Sequence, residues 1–416
     1  MRGAAAGRPG PRHPPPCRPS STPRGTSRQA TPVKGPPVPV RTDDLSTPRY
    51  EASLASLTTS VLASLGVAGE ADLLGLPPVR RACVLLVDGM GWELLREYRV
   101  HAPFLATLLE SGTPLAAGCP TTTATSLATM GTGLVPGHHG IVGYQVAVPG
   151  TERVLNQLRW GDPEVVPEDW QPHTTAYERA ERAGVRTAYI ADEAYRGSGL
   201  SRASARGSRY VGADSITELA VRAGEALEGD DRVLAFVYHS DLDSYGHLCG
   251  VDSPYWRLHL GYVDRLAEQI ADSLPPDTAL YITADHGMVD TAPDTRIDIE
   301  SGPAFNAGVR LRAGEPRLRQ IYTRDGAAAD VAAAWRELLG TRARVLTRDE
   351  ALAEGLFGDV EEAVRPRIGD VLALARGNTA LIAPESERTI SRLVGHHGSL
   401  TAAELHVPLL RVTAAP

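Results

Sequence analysis

The stretch Ala82–Met90, which reads Ala-Cys-Val-Leu-Leu-Val-Asp-Gly-Met, is a continuous apolar run that ends at an aspartate and a glycine. A strand of a parallel sheet is covered by helices on both faces, so it is apolar at nearly every position. Three further short runs have the same character: Thr187–Ile190, Val233–Tyr238 and Ala279–Thr283. Together the runs predict the buried strands of a mainly parallel sheet.

Helical patterns separate these runs. Between Leu54 and Leu65, leucines and a valine recur at helical spacing and predict a helix that ends near Gly66. A clearer helix begins after Ser253–Pro254, a capping residue followed by a first-turn proline. One face of it is apolar, with Trp256, Leu260, Val263, Ala267 and Ile270. The alternation of strands and helices predicts an α/β fold, and the less regular residues 297–376 predict a small inserted lobe.

The first part of the chain differs in composition from the rest. Of 416 residues, 42% are hydrophobic, which is typical of a globular protein with a large core. Residues 1–48 are instead rich in proline and arginine and have almost no large apolar side chains. Such a segment cannot offset its ordering entropy, so we expect a disordered tail, with the folded domain in residues 49–416.

Charge and hydropathy exclude several classes of protein. The net charge is −8, and because residues 1–50 carry a balance of +7, the remainder is near −15. An acidic body argues against nucleic acid as the main partner. No apolar run approaches the roughly 18 residues of a membrane span. No apolar segment follows the charged start as a secretory signal requires, so a cytoplasmic location is expected, while the oligomeric state is left open.

Acidic and histidine side chains stand where the predicted strands end. They are Asp88, Asp241, Asp243, His247, Asp285 and His286, with His396 and His397 before a last apolar run at Val407–Val412. Open α/β sheets place their sites at the carboxyl ends of parallel strands, so these residues are candidates for one site. A hydroxyl-rich stretch, Thr121–Ser126, is a further candidate.

The charge of such a set indicates what it could hold. Three carboxylates and one deprotonated threonine carry four negative charges, which two divalent ions balance. Mixed nitrogen and oxygen ligands suit zinc, whereas an all-oxygen set would favour magnesium or calcium. Two ions roughly 4 Å apart can stabilise the attacking and leaving oxygens of a displacement at phosphorus. The pattern therefore predicts two divalent metal ions, with Zn²⁺ as the favoured metal.

Several motifs resemble the alkaline phosphatase superfamily, and within it the type I phosphodiesterase/nucleotide pyrophosphatase family. They are VLLVDGMGWELL at 84–95, PTTTATSLATMGTGLVPGHHG at 120–140, DSYGH at 243–247, DHGM at 285–288 and GHHG at 395–398. Their order is that of the family, and they span about four-fifths of the chain. The resemblance implies a three-layer sandwich with a mainly parallel central sheet and helices on both faces. It also makes residues 49–416 a catalytic domain.

The resemblance also implies roles for individual residues. Thr123 matches the nucleophile, and Asp88, Asp285 and His286 match the ligands of the metal that activates it. Asp243, His247 and His397 match the ligands of the second metal. The threonine would attack phosphorus and form a phosphothreonine, which water then hydrolyses.

Neighbouring residues remain as alternatives to these assignments. By chemistry alone, Thr121, Thr122 and Thr125 could also be nucleophiles, and His396 competes with His397. His138–His139 is interpreted as structural, and His239 and Asp241 are either partners of the ligands or solvated groups at the end of a strand. A sulfatase of this superfamily has its reactive cysteine in the pattern Cys-x-Pro-x-Arg. Proline follows Cys119 directly and no arginine is placed correctly, which disfavours sulfatase activity.

One position departs from the family. Counting from Thr123, Tyr144 stands where the phosphodiesterase branch has an asparagine that helps to bind a phosphoryl oxygen. A phenol can also donate a hydrogen bond, so Tyr144 is a candidate substrate-binding residue; alternatively, it packs beside Val142.

The predicted function is hydrolysis of a small-molecule phosphate ester, as a phosphodiester or pyrophosphate, with nucleotides among the candidates. A second interpretation is a phosphomonoesterase or a phosphonate C–P hydrolase on the same site. A non-catalytic binding protein on a decayed scaffold is a third. It is disfavoured because all seven predicted metal-site residues, Thr123 included, are retained.

Overall fold

The structure, a computed structural model, describes residues 45–414. Most of the predicted tail, 1–48, therefore lies outside the described residues. Its last four residues are described, and the Ser46 N–H donates to the carbonyl of Leu400 at 2.9 Å. Leu45 pairs with Thr401 in an isolated bridge. The described chain thus joins the folded body a few residues earlier than predicted, and the division into domains stays a prediction.

The strands are β1 (Arg81–Val87), β2 (Thr113–Ala116), β3 (Gln145–Ala147), β4 (Val154–Asn156), β5 (Arg186–Ala191), β6 (Arg209–Gly212), β7 (Val233–His239), β8 (Thr278–Thr283), β9 (Val289–Asp290), β10 (Arg296–Asp298), β11 (Val309–Glu315), β12 (Leu318–Thr323), β13 (Ala343–Thr347), β14 (Val371–Ala375), β15 (Ala380–Ile382), β16 (Gly395–His396) and β17 (His406–Thr413). Each of the four predicted strands is present, and all four are one or two residues longer than the apolar run alone indicates.

The α-helices are α1 (Leu54–Ser64), α2 (Trp92–Glu97), α3 (Pro103–Leu109), α4 (Thr123–Thr132), α5 (Pro136–His139), α6 (Pro167–Trp170), α7 (Ala176–Arg182), α8 (Gly199–Ser204), α9 (Ile216–Leu227), α10 (Asp241–Cys249), α11 (Pro254–Asp272), α12 (Ala328–Leu339), α13 (Arg348–Ala353) and α14 (Ala402–Leu405). Short 3₁₀ helices lie at Tyr50–Ala52, Arg99–His101, Glu193–Tyr195, Pro293–Thr295, Gly340–Arg342, Arg365–Arg367 and Ile390–Arg392. Within residues 45–414, no helix is both long and apolar enough to cross a lipid bilayer.

The central sheet has seven strands within the described chain, in the order β2-β17-β8-β1-β7-β5-β6. The five strands from β8 to β6 are parallel, and β17 pairs antiparallel with both β8 and β2. In the register, Val87 lies beside His239 and Leu86 beside Thr283, so β1, β7 and β8 end at the same edge. The sheet is therefore mainly parallel, as predicted.

Helices cover both faces of this sheet. On one face, Val84 of β1 and Phe236 of β7 pack against Val61 of α1, Met130 of α4 and Tyr177 of α7. On the other face, α9 contacts β1, β5 and β7, and α11 packs against α9 and α3. Helix α11 is the one predicted from its cap, and the Ser253 hydroxyl accepts from the N–H of Trp256. All of its predicted apolar positions are buried.

Residues inside the range 297–376 form a second, smaller sheet. Four antiparallel strands pair in the order β11-β12-β14-β13. Helix α12 packs on β13 and β14, and Trp335 and Ile321 are buried in a core separate from the main one. The β11–β12 hairpin reaches the main body, where Arg317 forms a buried ion pair with Glu404. These residues are called the lobe below.

Candidate metal centre

The predicted site residues gather at the edge where β1, β7 and β8 end. Asp88 directly follows β1. Asp285 and His286 follow β8, separated from its last residue by Ala284. Because β17 is antiparallel to β8, its beginning lies at the same edge, and His397 precedes it. Sheet topology therefore brings together side chains that are about 300 residues apart in the chain.

The residues after β7 form helix α10, which the sequence did not predict. Asp243 and His247 lie one turn apart on it, with His247 Nε2 3.2 Å from Asp243 Oδ2. Gly89, the residue after Asp88, has a φ of +74°, and a Cβ there would lie 3.1 Å from Cα of Asp243. The glycine therefore provides both the turn after β1 and the close approach of α10.

Thr123 is the first residue of α4, and its hydroxyl lies between two predicted ligands. Its Oγ1 is 3.5 Å from Asp88 Oδ2 and 3.2 Å from His286 Nε2. The alternative Thr121 instead donates its hydroxyl to the carbonyl of Ser399, at 2.7 Å. The buried hydroxyl of Thr125 has no hydrogen-bond partner in the described chain. Within the described chain, the Thr123 hydroxyl is thus the one recorded in contact with two predicted ligands, which distinguishes it from those of Thr121 and Thr125.

The three predicted imidazole ligands share one protonation pattern. The Nδ1 atoms of His247, His286 and His397 each donate to a backbone carbonyl, at 2.8, 3.0 and 2.8 Å respectively. A carbonyl only accepts, so each Nδ1 carries a hydrogen, and in the neutral imidazole Nε2 keeps a lone pair that can bind a metal ion. The Nε2 atoms of His247 and His397 are 3.2 Å apart. Two lone pairs directed at each other need a cation or a proton between them.

The carboxylates at this edge have oxygens without partners. Asp88 Oδ1, Asp243 Oδ1 and Asp285 Oδ2 are buried and accept no hydrogen bond within residues 45–414. A buried charged oxygen without a partner is costly, so this arrangement requires counter-charge. His286 Nε2 lies 3.4 Å from both Asp88 Oδ1 and Asp285 Oδ2. The unpartnered oxygens of Asp88 and Asp285 therefore lie close to the Nε2 atom of His286.

Electrostatics supports the same interpretation. Burial, and then repulsion from Asp285 and Asp243, raises the pKa of Asp88. Burial also raises the pKa of Asp285, although His286 opposes the increase. For Asp243, burial is outweighed by His247 and His397, and the pKa falls well below its usual range. Asp88 and Asp285 thus resist ionisation by protein groups alone, and a bound cation would reverse this effect.

These residues fit divalent metal ions. With metal–nitrogen bonds of about 2.0 Å, two imidazole ligands of a tetrahedral ion lie roughly 3.3 Å apart, close to the observed His247–His397 separation. The described residues contain two overlapping candidate clusters: Asp88, Asp285 and His286, and Asp243, His286 and His397. His247 adjoins the second cluster through Asp243. The predicted division of six ligands between two ions stays a prediction.

Three neighbouring candidates have other partners. His396 Nε2 donates to the carbonyl of Leu393 at 3.1 Å, away from the cluster that contains His397. His139 bonds to the hydroxyl of Thr129 at 3.0 Å, and burial lowers its pKa to about 3, as expected for a structural histidine. Cys119 is a buried thiol whose pKa burial raises well above its usual range, which is unlike a reactive cysteine.

A third cluster lies where β7 ends and α10 begins, and consists of His239, Asp241 and His259. The Nε2 atoms of the two histidines are 2.7 Å apart. This is the length of an N–H···N hydrogen bond and is well below the roughly 3.3 Å between two nitrogen ligands of zinc. His239 therefore pairs with His259 on α11 rather than orienting a predicted ligand, and a shared proton accounts for the pair.

Tyr144 lies in the segment between α5 and β3, half-buried beneath the lobe. Its backbone N–H donates to Glu315 Oε2 at 3.1 Å. Burial raises the pKa of its phenol, and a hydrogen bond with the Asn156 side chain opposes the increase. The phenol thus has a protein partner on β4. Its role as a ligand of a phosphoryl oxygen stays a prediction.

Sequence reasoning missed one residue at this edge, Tyr238. Its hydroxyl donates to Asp88 Oδ2 at 2.5 Å, and the side chain is buried. Tyr238 is part of the apolar run of β7, where an aromatic residue is common and gives no sign of function. Only the register of β7 against β1 brings its hydroxyl to Asp88.

Solved structures with the same fold include two kinds of hydrolase. Murine ectonucleotide pyrophosphatase/phosphodiesterase 5 is 20% identical, with a TM-score of 0.63 over 80% of this chain and 88% of that chain. Phosphonoacetate hydrolase from Sinorhizobium meliloti, in complex with phosphonoacetate, is 18% identical, with a TM-score of 0.63 over 82% of this chain and 92% of that chain. At these identities the likeness concerns the fold, and it confirms the predicted alkaline-phosphatase-like architecture.

A family model gives the evidence on relationship. No curated protein matches the chain by sequence. The model of the type I phosphodiesterase/nucleotide pyrophosphatase family matches residues 82–400, which is well over half of the chain. This range contains all of the motifs and every residue of the candidate centre. The chain therefore belongs to the type I phosphodiesterase/nucleotide pyrophosphatase family and is a phosphoric ester hydrolase.

Proposed function

We propose that this protein hydrolyses phosphodiester or pyrophosphate bonds of small molecules, with Thr123 as nucleophile and two zinc ions as cofactors. The observation that carries the proposal is the position of the Thr123 hydroxyl. It lies within 3.5 Å of Asp88 and His286, beside buried carboxylate oxygens that have no partner in the described chain. A nucleophile next to uncompensated negative charge favours a reaction that depends on bound cations.

Seven side chains would hold the two ions. One ion would take Asp88, Asp285, His286 and the Thr123 oxygen, and the other would take Asp243, His247 and His397. When bound, zinc supplies positive charge that lowers the pKa of the threonine hydroxyl and stabilises the phosphoryl oxygens. Four negative charges on these side chains would balance four positive charges, so the buried centre would be neutral.

The residues of the chain then have defined roles in the reaction. Thr123 Oγ1 forms the new bond to phosphorus, and the leaving group departs with the electron pair of its own bond. Water later breaks the phosphothreonine bond and restores the hydroxyl. Thr123 begins a ten-residue helix whose N-cap, Thr122, makes no side-chain capping bond. The first N–H groups of α4 are therefore not capped by this side chain and would be available to an anionic phosphoryl group bound at Thr123.

The charge around Thr123 bears on the identity of the leaving group. A murine structure with this fold, described as inactive, binds AMP, and the bacterial one binds phosphonoacetate. A phosphomonoester, or a phosphonate that bears a carboxylate, carries more negative charge than a diester. A site for such a substrate would be expected to have a cationic side chain near Thr123. The groups described around Thr123 are carboxylates and imidazoles. This environment favours a diester or pyrophosphate, with phosphonate cleavage as the second candidate.

Metal content and substrate preference test the proposal together. Purified protein loaded with Zn²⁺ should contain close to two ions per chain, and a chelator should abolish turnover until zinc is restored. Rates should be higher for bis(4-nitrophenyl) phosphate than for 4-nitrophenyl phosphate, with AMP released from a dinucleoside pyrophosphate. Fewer than one bound ion with activity retained would refute the metal centre. Phosphate release from phosphonoacetate alone would establish the second candidate.

A further inference from the structure

The carboxylate ligands follow a common pattern in which one oxygen is occupied and the other is free. Asp285 Oδ1 accepts the backbone N–H groups of Gly89 and His286, at 3.1 and 2.9 Å, which leaves Oδ2 free. Asp88 Oδ2 accepts the hydroxyl of Tyr238 at 2.5 Å, which leaves Oδ1 free. The backbone orients Asp285, whereas side chains occupy the corresponding oxygen of Asp88, and the shortest of these bonds comes from Tyr238.

We propose that Tyr238 is a positioning residue that determines which oxygen of Asp88 binds the metal ion, an inference that rests on the proposed function. With Oδ2 occupied by the phenol, Oδ1 is directed toward the point that it shares with His286 Nε2, 3.4 Å away. Without the phenol, the carboxylate can rotate or offer both oxygens. Partners of this kind fix the geometry of a ligand and tune its charge.

The position of Tyr238 suits this role. It lies on β7, which pairs with β1 residue by residue, and the N–H of Asp88 donates to the carbonyl of His239 at 2.9 Å. Donor and acceptor are therefore carried on adjacent, hydrogen-bonded strands. The ring of Tyr238 also packs against that of Tyr195, with centroids 6.0 Å apart. Both ends of the hydrogen bond are held by the sheet and its neighbours.

The bond also affects the nucleophile. Thr123 Oγ1 is 3.5 Å from the same oxygen of Asp88, which is long for a hydrogen bond between oxygens. The shorter bond from Tyr238 thus occupies Oδ2 more strongly than Thr123 does. A phenol hydroxyl remains a donor at neutral pH, so this occupation persists under working conditions.

Removing the hydroxyl alone tests this role, with a second buried tyrosine as control. Tyr238→Phe keeps the ring and its contact with Tyr195. Tyr189→Phe, on β5, removes the hydroxyl of another buried tyrosine, whose ring stacks on Phe236. Both variants would be compared with the parent for zinc Kd by chelator competition, for the visible spectrum of the Co²⁺ form, and for Tm and kcat.

We expect Tyr238→Phe to weaken binding of one zinc ion by roughly 10- to 100-fold, to change the Co²⁺ spectrum and to lower kcat by a similar factor. Tyr189→Phe should change each quantity less than twofold. A zinc Kd and a Co²⁺ spectrum of Tyr238→Phe equal to those of Tyr189→Phe would overturn the inference, even if kcat fell. Parent protein that binds two zinc ions but cleaves no phosphodiester would refute the proposed function and leave the zinc comparison decisive for Tyr238.

Discussion

The candidate metal centre and the junction between the lobe and the main body are both buried and charged, but they balance their charges differently. At the junction, Arg317 donates two hydrogen bonds to Glu404, at 2.9 and 2.7 Å. The same carboxylate also accepts the N–H of Ser399 and the hydroxyl of Thr401. At the metal centre, three carboxylate oxygens have no partner in the described chain.

The difference separates a structural charge from a functional one. Glu404 has protein partners on both oxygens, so it needs nothing from outside the chain. Asp88 and Asp285 repel each other and resist ionisation, so the fold keeps them at a cost that a bound cation would offset. Burial alone therefore does not mark a site; the candidate centre is distinguished by several uncompensated carboxylates that lie together beside the Thr123 hydroxyl.

The largest effect should come from the nucleophile. Thr123→Ala should lower turnover by at least about a thousandfold, because no other hydroxyl is placed between Asp88 and His286 in the described chain. Zinc content should stay close to that of the parent, since six ligands remain. Turnover and bound zinc would be measured on the same samples.

Thr122→Ala is the matched control, because it removes the adjacent hydroxyl and leaves Thr123 intact. We expect its rate to stay within about tenfold of the parent. If the two variants exchanged behaviour, the spacing argument would be wrong by one residue. If both variants were fully active, neither threonine would be the nucleophile. The unpartnered carboxylates would then not mark a catalytic site.

The junction should show a large effect on stability instead of chemistry. Glu404→Gln leaves the buried guanidinium of Arg317 without its counter-charge and should lower the free energy of unfolding by about 3–5 kcal/mol. The double variant with Arg317→Met should cost less than the sum of the two single changes. Urea unfolding at fixed zinc concentration measures both.

Glu268→Gln, which breaks an exposed pair with Arg265 on α11, is the control for that measurement and should leave stability within error. A loss at Glu404 as small as at Glu268 would show that the junction charge is not compensated in the way the distances indicate.

Another buried carboxyl, that of Glu315 in the lobe, should behave as an uncompensated group. Burial raises its pKa to about 8, although the hydrogen bond from the N–H of Tyr144 and the positive charge of Arg319 both act to lower it. The folded protein keeps this proton above pH 4.5 while the unfolded chain loses it. Stability should therefore fall as pH rises from about 4.5 to 8, by up to about 1.4 kcal/mol per pH unit.

Glu315→Gln should remove this part of the slope, whereas Glu337→Gln, at an exposed position on α12, should not. Unfolding free energies at several pH values between 5 and 8 measure the difference. Parallel profiles for the parent and Glu315→Gln would mean that the carboxyl is ionised and compensated, like Glu404.

The smallest effect should come from Tyr144→Phe. The phenol has Asn156 as a partner, so we expect a rate within twofold of the parent and little change in Tm. A lost donor to the phosphoryl oxygen would cost on the order of 3 kcal/mol, or more than a hundredfold in rate. A fall of that size in kcat for bis(4-nitrophenyl) phosphate would place Tyr144 among the substrate ligands.

Strands and the best helix were predictable because their signals are local. The apolar run Ala82–Val87 identifies a buried strand without reference to any other part of the chain, and Ser253–Pro254 marks the start of α11. Helix α10 was not predicted, because its sequence is polar where it faces the centre. The lobe strands were read only as irregular, since antiparallel pairing depends on partners far along the chain.

Within the site, motif order and residue type were enough to select Thr123, the three aspartates and the three histidines as candidates. The amino-acid sequence by itself determined which groups are present, their total charge and the strands that carry them. Only the tertiary structure decided which oxygen of each aspartate is free, which nitrogen of each histidine carries the hydrogen, and that Tyr238 bonds to Asp88. These properties depend on contacts between adjacent strands and on burial, and no local pattern of residues encodes either one.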